Sequence, residues 1–184
     1  MNFHKYSGSG NDFIFVNTRS KNITLKPRDI AKWCARKEGI GADGVILIGD
    51  SNEFDYSFRI FNSDGSEAEM CGNAARCSIH FAYHILKIEN KSSFKFETMN
   101  GVYSGEMVED GEVRIKMTEL YDVESISVSD LTGKRAMYLN TGVPHTVIQV
   151  SSVEDVNVQA IGSAIRHDVR FLPGGANVNF FEVI

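Results

Sequence analysis

Cys71 is the residue of this sequence best placed to do chemistry, because of the segment that follows it. Residues 70–76 read Met-Cys-Gly-Asn-Ala-Ala-Arg, and an apolar run continues to Lys87. We predict a helix that begins directly after the cysteine, where unpaired backbone N–H groups and the helix dipole favour a thiolate. A thiolate can act as a base or a nucleophile near neutral pH. The position alone leaves open a buried structural cysteine, which is the commoner fate of a free thiol.

Removal of the α-proton of an amino acid is a reaction that such a thiolate suits. The backbone N–H groups of Gly72 and Asn73 would bind the α-carboxylate and stabilise the charge that develops on it. Gly72 has no side chain and lets a substrate approach closely. Inversion needs a second acid/base group on the opposite face, because a single base returns the proton to the side it came from. This chemistry uses no cofactor and no metal, and we expect neither.

Composition excludes several other classes of protein. The chain has 184 residues, is 42% hydrophobic and carries a net charge of −5, which argues against nucleic acid or an anionic membrane as a partner. No apolar run reaches membrane-spanning length, and the N-terminus is not a signal peptide. Three cysteines, an odd number, indicate reduced thiols and a cytoplasmic protein. His80 and His84 are spaced to bind a metal, but the glutamate of the HExxH motif is missing.

Periodicity predicts an α/β protein with a mixed sheet wrapped around one central helix, the apolar one after Cys71. A first helix should open near Pro27 and end at Gly39 and Gly41. Strands are expected over 12–17, 45–48, 54–60, 94–96, 102–108 and 113–117, with a turn at 62–65. Further strands are expected within 137–150, over 169–172 and from Asn177, with a helix around 158–165.

The order of elements appears twice, which predicts an internal duplication. Residues 1–117 form a first half with Cys71, and residues 118–184 form a second half that stops before its own helix. The segment 10–13, Gly-Asn-Asp-Phe, aligns with 142–145, Gly-Val-Pro-His.

Several separate segments together resemble diaminopimelate epimerase, a family of cofactor-independent amino-acid epimerases that use two cysteines. The resemblance runs from Met1 to Ile184 and rests on the segments 5–13, 39–44 and 58–76. It implies a fold of two pseudo-symmetric halves and the conversion of LL- to meso-diaminopimelate, in lysine and peptidoglycan precursor biosynthesis.

The resemblance also implies roles for individual residues. Cys71 would be one catalytic acid/base and His145 a histidine that supports proton transfer, while the substrate would be bound by Asn11, Asn62, Gly72, Asn73 and Asn177. Plainer readings stay open for three of these residues. Asn62 lies in a sequence that forms a turn by itself, His145 could be an ordinary loop or core histidine, and Asn11 could serve a left-handed turn. Cys34, Cys77 and Arg76 are expected to pack or pair rather than touch substrate.

The sequence also departs from the family. Val143 stands where the family usually has Asn, Gly44 replaces a common polar residue, and the second catalytic cysteine is not among these 184 residues. We therefore expect this chain alone to be inactive, with an apolar surface that either a homodimer partner or a further segment covers. Two rivals remain: a racemase of the same fold with another substrate, and a non-catalytic binding or assembly fragment. Proline racemases carry His at the position of Asn73, which argues against that branch.

Overall fold

The computed structural model describes residues 2–21 and 23–184, including all of their side chains except those of Asn90 and Leu131. The chain divides into two compact units, Met1–Met117 and Thr118–Ile184. That these units are the two halves of a duplicated epimerase stays a prediction. None of the described helices is long and apolar enough to cross a membrane.

The first unit is an eight-stranded mixed sheet with two helices. Its strands follow the spatial order β1-β2-β3-β4-β6-β7-β8, with the short β5 paired to β4. The elements are β1 (His4–Gly8), β2 (Asn11–Asn17), α1 (Pro27–Cys34), β3 (Gly44–Gly49), β4 (Tyr56–Asn62), β5 (Glu67–Ala68), α2 (Gly72–Phe81), β6 (Ser93–Thr98), β7 (Gly101–Met107) and β8 (Val113–Lys116). The helix α2 continues as a π-helical turn over Ala82–Leu86.

The sheet curls around α2, as predicted from the apolar character of that segment. Inward-facing side chains of five strands pack with Ala74, Ala75, Ile79 and Phe81 of α2 in the largest core cluster. The opposite face of β2 and β3 packs against α1 in a second cluster. One buried polar contact ties helix to sheet, since the Tyr56 hydroxyl lies 2.9 Å from Ser78 Oγ. The predicted α/β fold with a sheet around a central helix is therefore confirmed.

The second unit is a four-stranded sheet with the order β12-β11-β10-β9. Its elements are β9 (Tyr121–Ser127), the single turn α3 (Ser129–Thr132), β10 (Arg135–Asn140), β11 (Pro144–Gln149), α4 (Val158–Arg166) and β12 (Asn177–Phe181). An antiparallel hairpin, β10–β11, is followed through α4 by the parallel strand β12. The same connectivity joins β1, β2, α1 and β3 in the first unit. His145 faces Asn177 across β11 and β12, as Phe13 faces Gly44 across β2 and β3.

Two local predictions were wrong. The segment predicted as a strand over 169–172 contains a 3₁₀ turn, Val169–Phe171, which begins where the Asp168 side chain accepts a hydrogen bond from the Arg170 backbone N–H. The first helix ends at Cys34, before the glycines predicted to stop it, because Ala35 is already extended.

Candidate active site

Cys71 lies at the start of α2, as the sequence predicts. Its backbone is extended, with φ −145° and ψ 118°, and its carbonyl oxygen accepts a bond from the Ala75 N–H at 2.9 Å. No side-chain cap and no acidic residue occupies the first turn. The N–H groups of the first turn are therefore not capped by a side chain and can bind an anion near the half-buried Cys71 thiol. A side-chain carbon added at Gly72 would meet only Arg76 Nη1, at 4.0 Å, so the backbone is open to close approach.

The two other thiols are in the core. Cys34 is 4% exposed and Cys77 is 6% exposed, and burial raises the pKa of both thiols. Both therefore stay protonated at neutral pH. Cys77 also fills the space beside Gly8, where a side-chain carbon would approach its Sγ to 2.8 Å. The two thiols occupy the packing positions expected for them.

The predicted ligand residues Asn11 and Asn73 are in direct contact. Asn73 Nδ2 donates to Asn11 Oδ1 at 2.8 Å, although the residues are 62 positions apart. The left-handed positions of the β1–β2 turn are Ser9 and Gly10, with φ of 48° and 89°. Asn11 is therefore not the left-handed residue of that turn, and its amide is bonded to the start of α2.

Two residues that the sequence analysis did not assign to the site hold these amides. Asp43 Oδ2 accepts from Asn11 Nδ2 at 3.1 Å. Arg76 donates through Nη2 to Asn73 Oδ1 and, at 2.8 Å, to Ser9 Oγ. Arg76 pairs on the helix as expected, while Asp43 is an addition. Asp43 was missed because it is far from Asn11 in the sequence. It directly precedes β3, and β3 pairs with β2, the strand that begins at Asn11.

Asn62 is the last residue of β4 and pairs with Gly44, the first residue of β3, so both residues lie at the same end of these two strands. Its side chain is exposed, and Nδ2 donates to Ser66 Oγ at 3.0 Å within its own turn. Gly44 leaves no room for a side chain, because an added carbon would lie 2.5 Å from the Phe61 carbonyl oxygen. The polar side chain that the resemblance leads one to expect at Gly44 is therefore incompatible with this backbone.

His145 and Asn177 lie together in the second unit. Burial lowers the pKa of His145, which keeps its imidazole neutral at pH 7. Asn179, which the sequence analysis did not single out, donates through Nδ2 to the Asn177 carbonyl at 3.2 Å and lies 3.1 Å from His145 Nδ1. Since that NH₂ group can only donate, Nδ1 must accept and the ring proton lies on Nε2. Asn177 Oδ1 accepts from Arg166 Nη1 at 3.4 Å.

An Asn179→Asp substitution tests the contact between residue 179 and the His145 ring. A carboxylate beside Nδ1 stabilises the imidazolium, so we expect the pKa of His145 to rise by about one pH unit. A proton NMR titration of the His145 ring measures this, with Asn179→Ala as the variant that removes the contact without adding charge. An unchanged His145 titration in Asn179→Asp would show that residue 179 does not contact the ring.

His80 and His84 lie side by side, one in α2 and the other in the π-helical turn that follows it. The His80 and His84 rings are 4.2 Å apart, and the Tyr6 hydroxyl lies 3.2 Å from His80 Nδ1. Burial and the neighbouring His84 lower the pKa of His80. Over residues 2–21 and 23–184, no group of three or more His, Cys, Asp or Glu side chains could hold a metal ion.

Comparison with known proteins identifies the family. The family profile described as diaminopimelate epimerase matches residues 3–123. The chain is 42% identical to diaminopimelate epimerase of Aquifex aeolicus, over all of this chain and 70% of that relative. The chain belongs to the diaminopimelate epimerase family. It is therefore an isomerase of the epimerase class, and its substrate is a small molecule.

Solved structures agree with the diaminopimelate epimerase family in fold. A phenazine biosynthesis protein of the PhzF family from Bacillus anthracis has a TM-score of 0.73 at 17% identity, covering 98% of this chain and 67% of that one. A probable proline racemase from Agrobacterium radiobacter has a TM-score of 0.65 at 14% identity, covering 91% of this chain and 60% of that one. At such low identity these matches establish the shared fold alone.

Proposed function

We propose that this chain supplies the Cys71 half of a cofactor-independent epimerase that converts LL-diaminopimelate to meso-diaminopimelate. The observation that supports this most is the position of the Cys71 thiol, half-buried at the uncapped start of α2. Family membership supplies the substrate, and the geometry of the first unit supplies a base and an anion site next to each other.

In the proposed mechanism, the Cys71 thiolate removes the α-proton and becomes a thiol. The electron pair moves into the α-carboxylate, where the N–H groups of Gly72 and Asn73 stabilise it. A thiol on the opposite face then donates a proton and completes the inversion. Because Cys34 and Cys77 are buried in the core, neither provides that second thiol.

The remaining predicted residues have supporting roles in this proposal. Asn11 and Asn62 in the first unit have side-chain amides suited to bind the distal amino-acid end of the substrate, and the role that the family resemblance implies for Asn177 in the second unit stays a prediction. The neutral His145 supports proton transfer by accepting or donating a proton at neutral pH. Val143 offers no side-chain hydrogen bond, so one substrate contact of the family is absent or supplied by another residue.

The cellular setting is part of the same proposal. The reaction belongs to lysine and peptidoglycan precursor biosynthesis, in the cytoplasm, and needs no nucleic acid or membrane. The free state of Cys34, Cys71 and Cys77 suits a reducing compartment. A homodimer stays a prediction, which sedimentation of the purified chain would test.

Incubation of LL-diaminopimelate with this 184-residue polypeptide in deuterium oxide tests the proposal. One working acid/base gives exchange of the α-proton for deuterium without inversion, so we expect NMR to show a diminishing α-proton signal while chiral chromatography shows only the LL isomer. Cys71→Ser should abolish the exchange, and Cys34→Ser should retain it.

Two outcomes would contradict the proposal. Exchange that persists in Cys71→Ser would place the base elsewhere, and binding of diaminopimelate without exchange would make the chain a binding module. A panel of other amino acids, tested in parallel, would reveal a racemase with a different substrate.

A further inference from the structure

A continuous chain of side-chain hydrogen bonds crosses the start of α2. Arg76 donates to Asn73 Oδ1, Asn73 Nδ2 donates to Asn11 Oδ1 at 2.8 Å, and Asn11 Nδ2 donates to Asp43 Oδ2 at 3.1 Å. A cation therefore ends the chain on one side and a carboxylate ends it on the other. Two neutral amides lie between them, and both belong to residues proposed to bind substrate.

The two charged ends determine which way each amide faces. A carboxylate can only accept hydrogen bonds, so the NH₂ group of Asn11 must face Asp43. A guanidinium can only donate, so the oxygen of Asn73 must face Arg76. The groups left over are the Asn73 NH₂ and the Asn11 oxygen, which form a bond with each other. The orientation is consistent at all three links, and reversing either amide would break two bonds.

Asp43 is itself held firmly. Arg36 Nη2 donates to Asp43 Oδ1 at 2.7 Å and to Asp12 Oδ1 at 2.8 Å. Asp43 Oδ2 also accepts from the Asp12 backbone N–H at 3.1 Å. Lys5 Nζ lies 2.7 Å from Asp12 Oδ2, so two cations balance two carboxylates. The Asp43 carboxylate is thus a hydrogen-bond acceptor held in place directly before β3.

We propose that Asp43 is a positioning residue that sets the amide orientation of Asn11 and, through it, of Asn73. Each of these amides uses one of its two N–H hydrogens within the chain and retains the other for a ligand. The two amides therefore offer N–H groups to the substrate, which selects a hydrogen-bond acceptor such as the carboxylate of its distal amino-acid end. The choice of a carboxylate ligand rests on the proposed function, whereas the orientation of the amides does not.

The experiment compares Asp43→Ala with Asp43→Asn in the 184-residue chain. In a ¹⁵N-resolved NMR spectrum, the two Nδ2 protons of Asn11 should be well separated in the wild type, because one is bound to a carboxylate. We expect Asp43→Ala to reduce that separation and to displace the Asn73 amide signals as well. Asp43→Asn retains one acceptor oxygen without the charge, so it should change both sets of signals less than Asp43→Ala does. The dissociation constant of diaminopimelate should rise about tenfold in Asp43→Ala and less than about threefold in Asp43→Asn.

Asp50→Ala is the matched control, because Asp50 is also paired with an arginine, Arg19, but lies outside the chain of amides. Unchanged Asn11 signals in folded Asp43→Ala, or equal changes in Asp50→Ala, would overturn the proposal. If Asp43→Ala does not fold, a pH titration of the wild type replaces it. The Asn11 amide signals should then change together with the signal of the Asp43 carboxyl carbon. Asn11 signals that change independently of that carbon would overturn the proposal. Expected NMR changes with no binding of diaminopimelate to the wild type would contradict the proposed function alone.

Discussion

Iodoacetamide is expected to modify Cys71 about 100-fold faster than Cys34 or Cys77 at pH 7. Alkylation requires an accessible thiol, and Cys71 is only partly buried, at the start of α2. The other two thiols are 4% and 6% exposed, and burial raises the pKa of both, so they are neutral and covered at this pH. Peptide mapping by mass spectrometry over a time course measures the three rates in one sample.

The same reaction in urea provides the control, because unfolding exposes all three thiols and should bring their rates within about threefold of one another. Added diaminopimelate should protect Cys71 and leave the other two rates unchanged. If native Cys71 reacts as slowly as Cys77, the thiol has no exposed thiolate and the proposed base is lost.

The elements of the first unit were predictable because its periodicity follows burial. The strand β4 alternates buried and exposed side chains along most of its length, and the apolar faces of α2 are enclosed by sheet. The buried run in β3 was equally clear. In each case the residues that determine the core are close together in sequence.

The second unit was less predictable because fewer of its residues are buried. Six of the seven positions of β9 are exposed, and only Ile126 is partly buried, so the strand has no apolar pattern to detect. The segment after α4 was wrongly predicted as a strand for the opposite reason. It contains apolar residues, but Arg170 binds the carboxylates of Asp130 and Asp168 and the backbone turns instead of pairing.

The residues of the candidate site also differ in how far the local sequence predicts them. Helix-start chemistry indicated Cys71, Gly72 and Asn73 from local sequence alone. The roles of Asp43 and Asn179 depend on contacts across neighbouring strands, 32 positions away in the first case and 34 in the second. No local pattern distinguishes those two residues from ordinary polar residues at the end of a strand or within one.

The helix that carries Cys71 should be the most sensitive part of the first unit to loss of packing. Ile79 is 0% exposed at the centre of the main core cluster, beneath the curled sheet. Ile79→Ala removes buried apolar atoms and leaves a cavity, so we expect it to lower the free energy of unfolding by about 2–5 kcal/mol. The fluorescence of Trp33, the single tryptophan, follows urea unfolding of this unit because Trp33 packs against its second core cluster.

Ile85→Ala is the matched control, since it makes the same change in the π-helical turn that continues α2. Ile85 is 42% exposed, and its replacement should cost less than about 1 kcal/mol. Equal losses in the two variants would mean that the sheet does not enclose α2. The lower stability expected for Ile79→Ala should also make local opening of the core more frequent. Because Cys77 lies in the same cluster as Ile79, we expect its alkylation rate to increase in this variant.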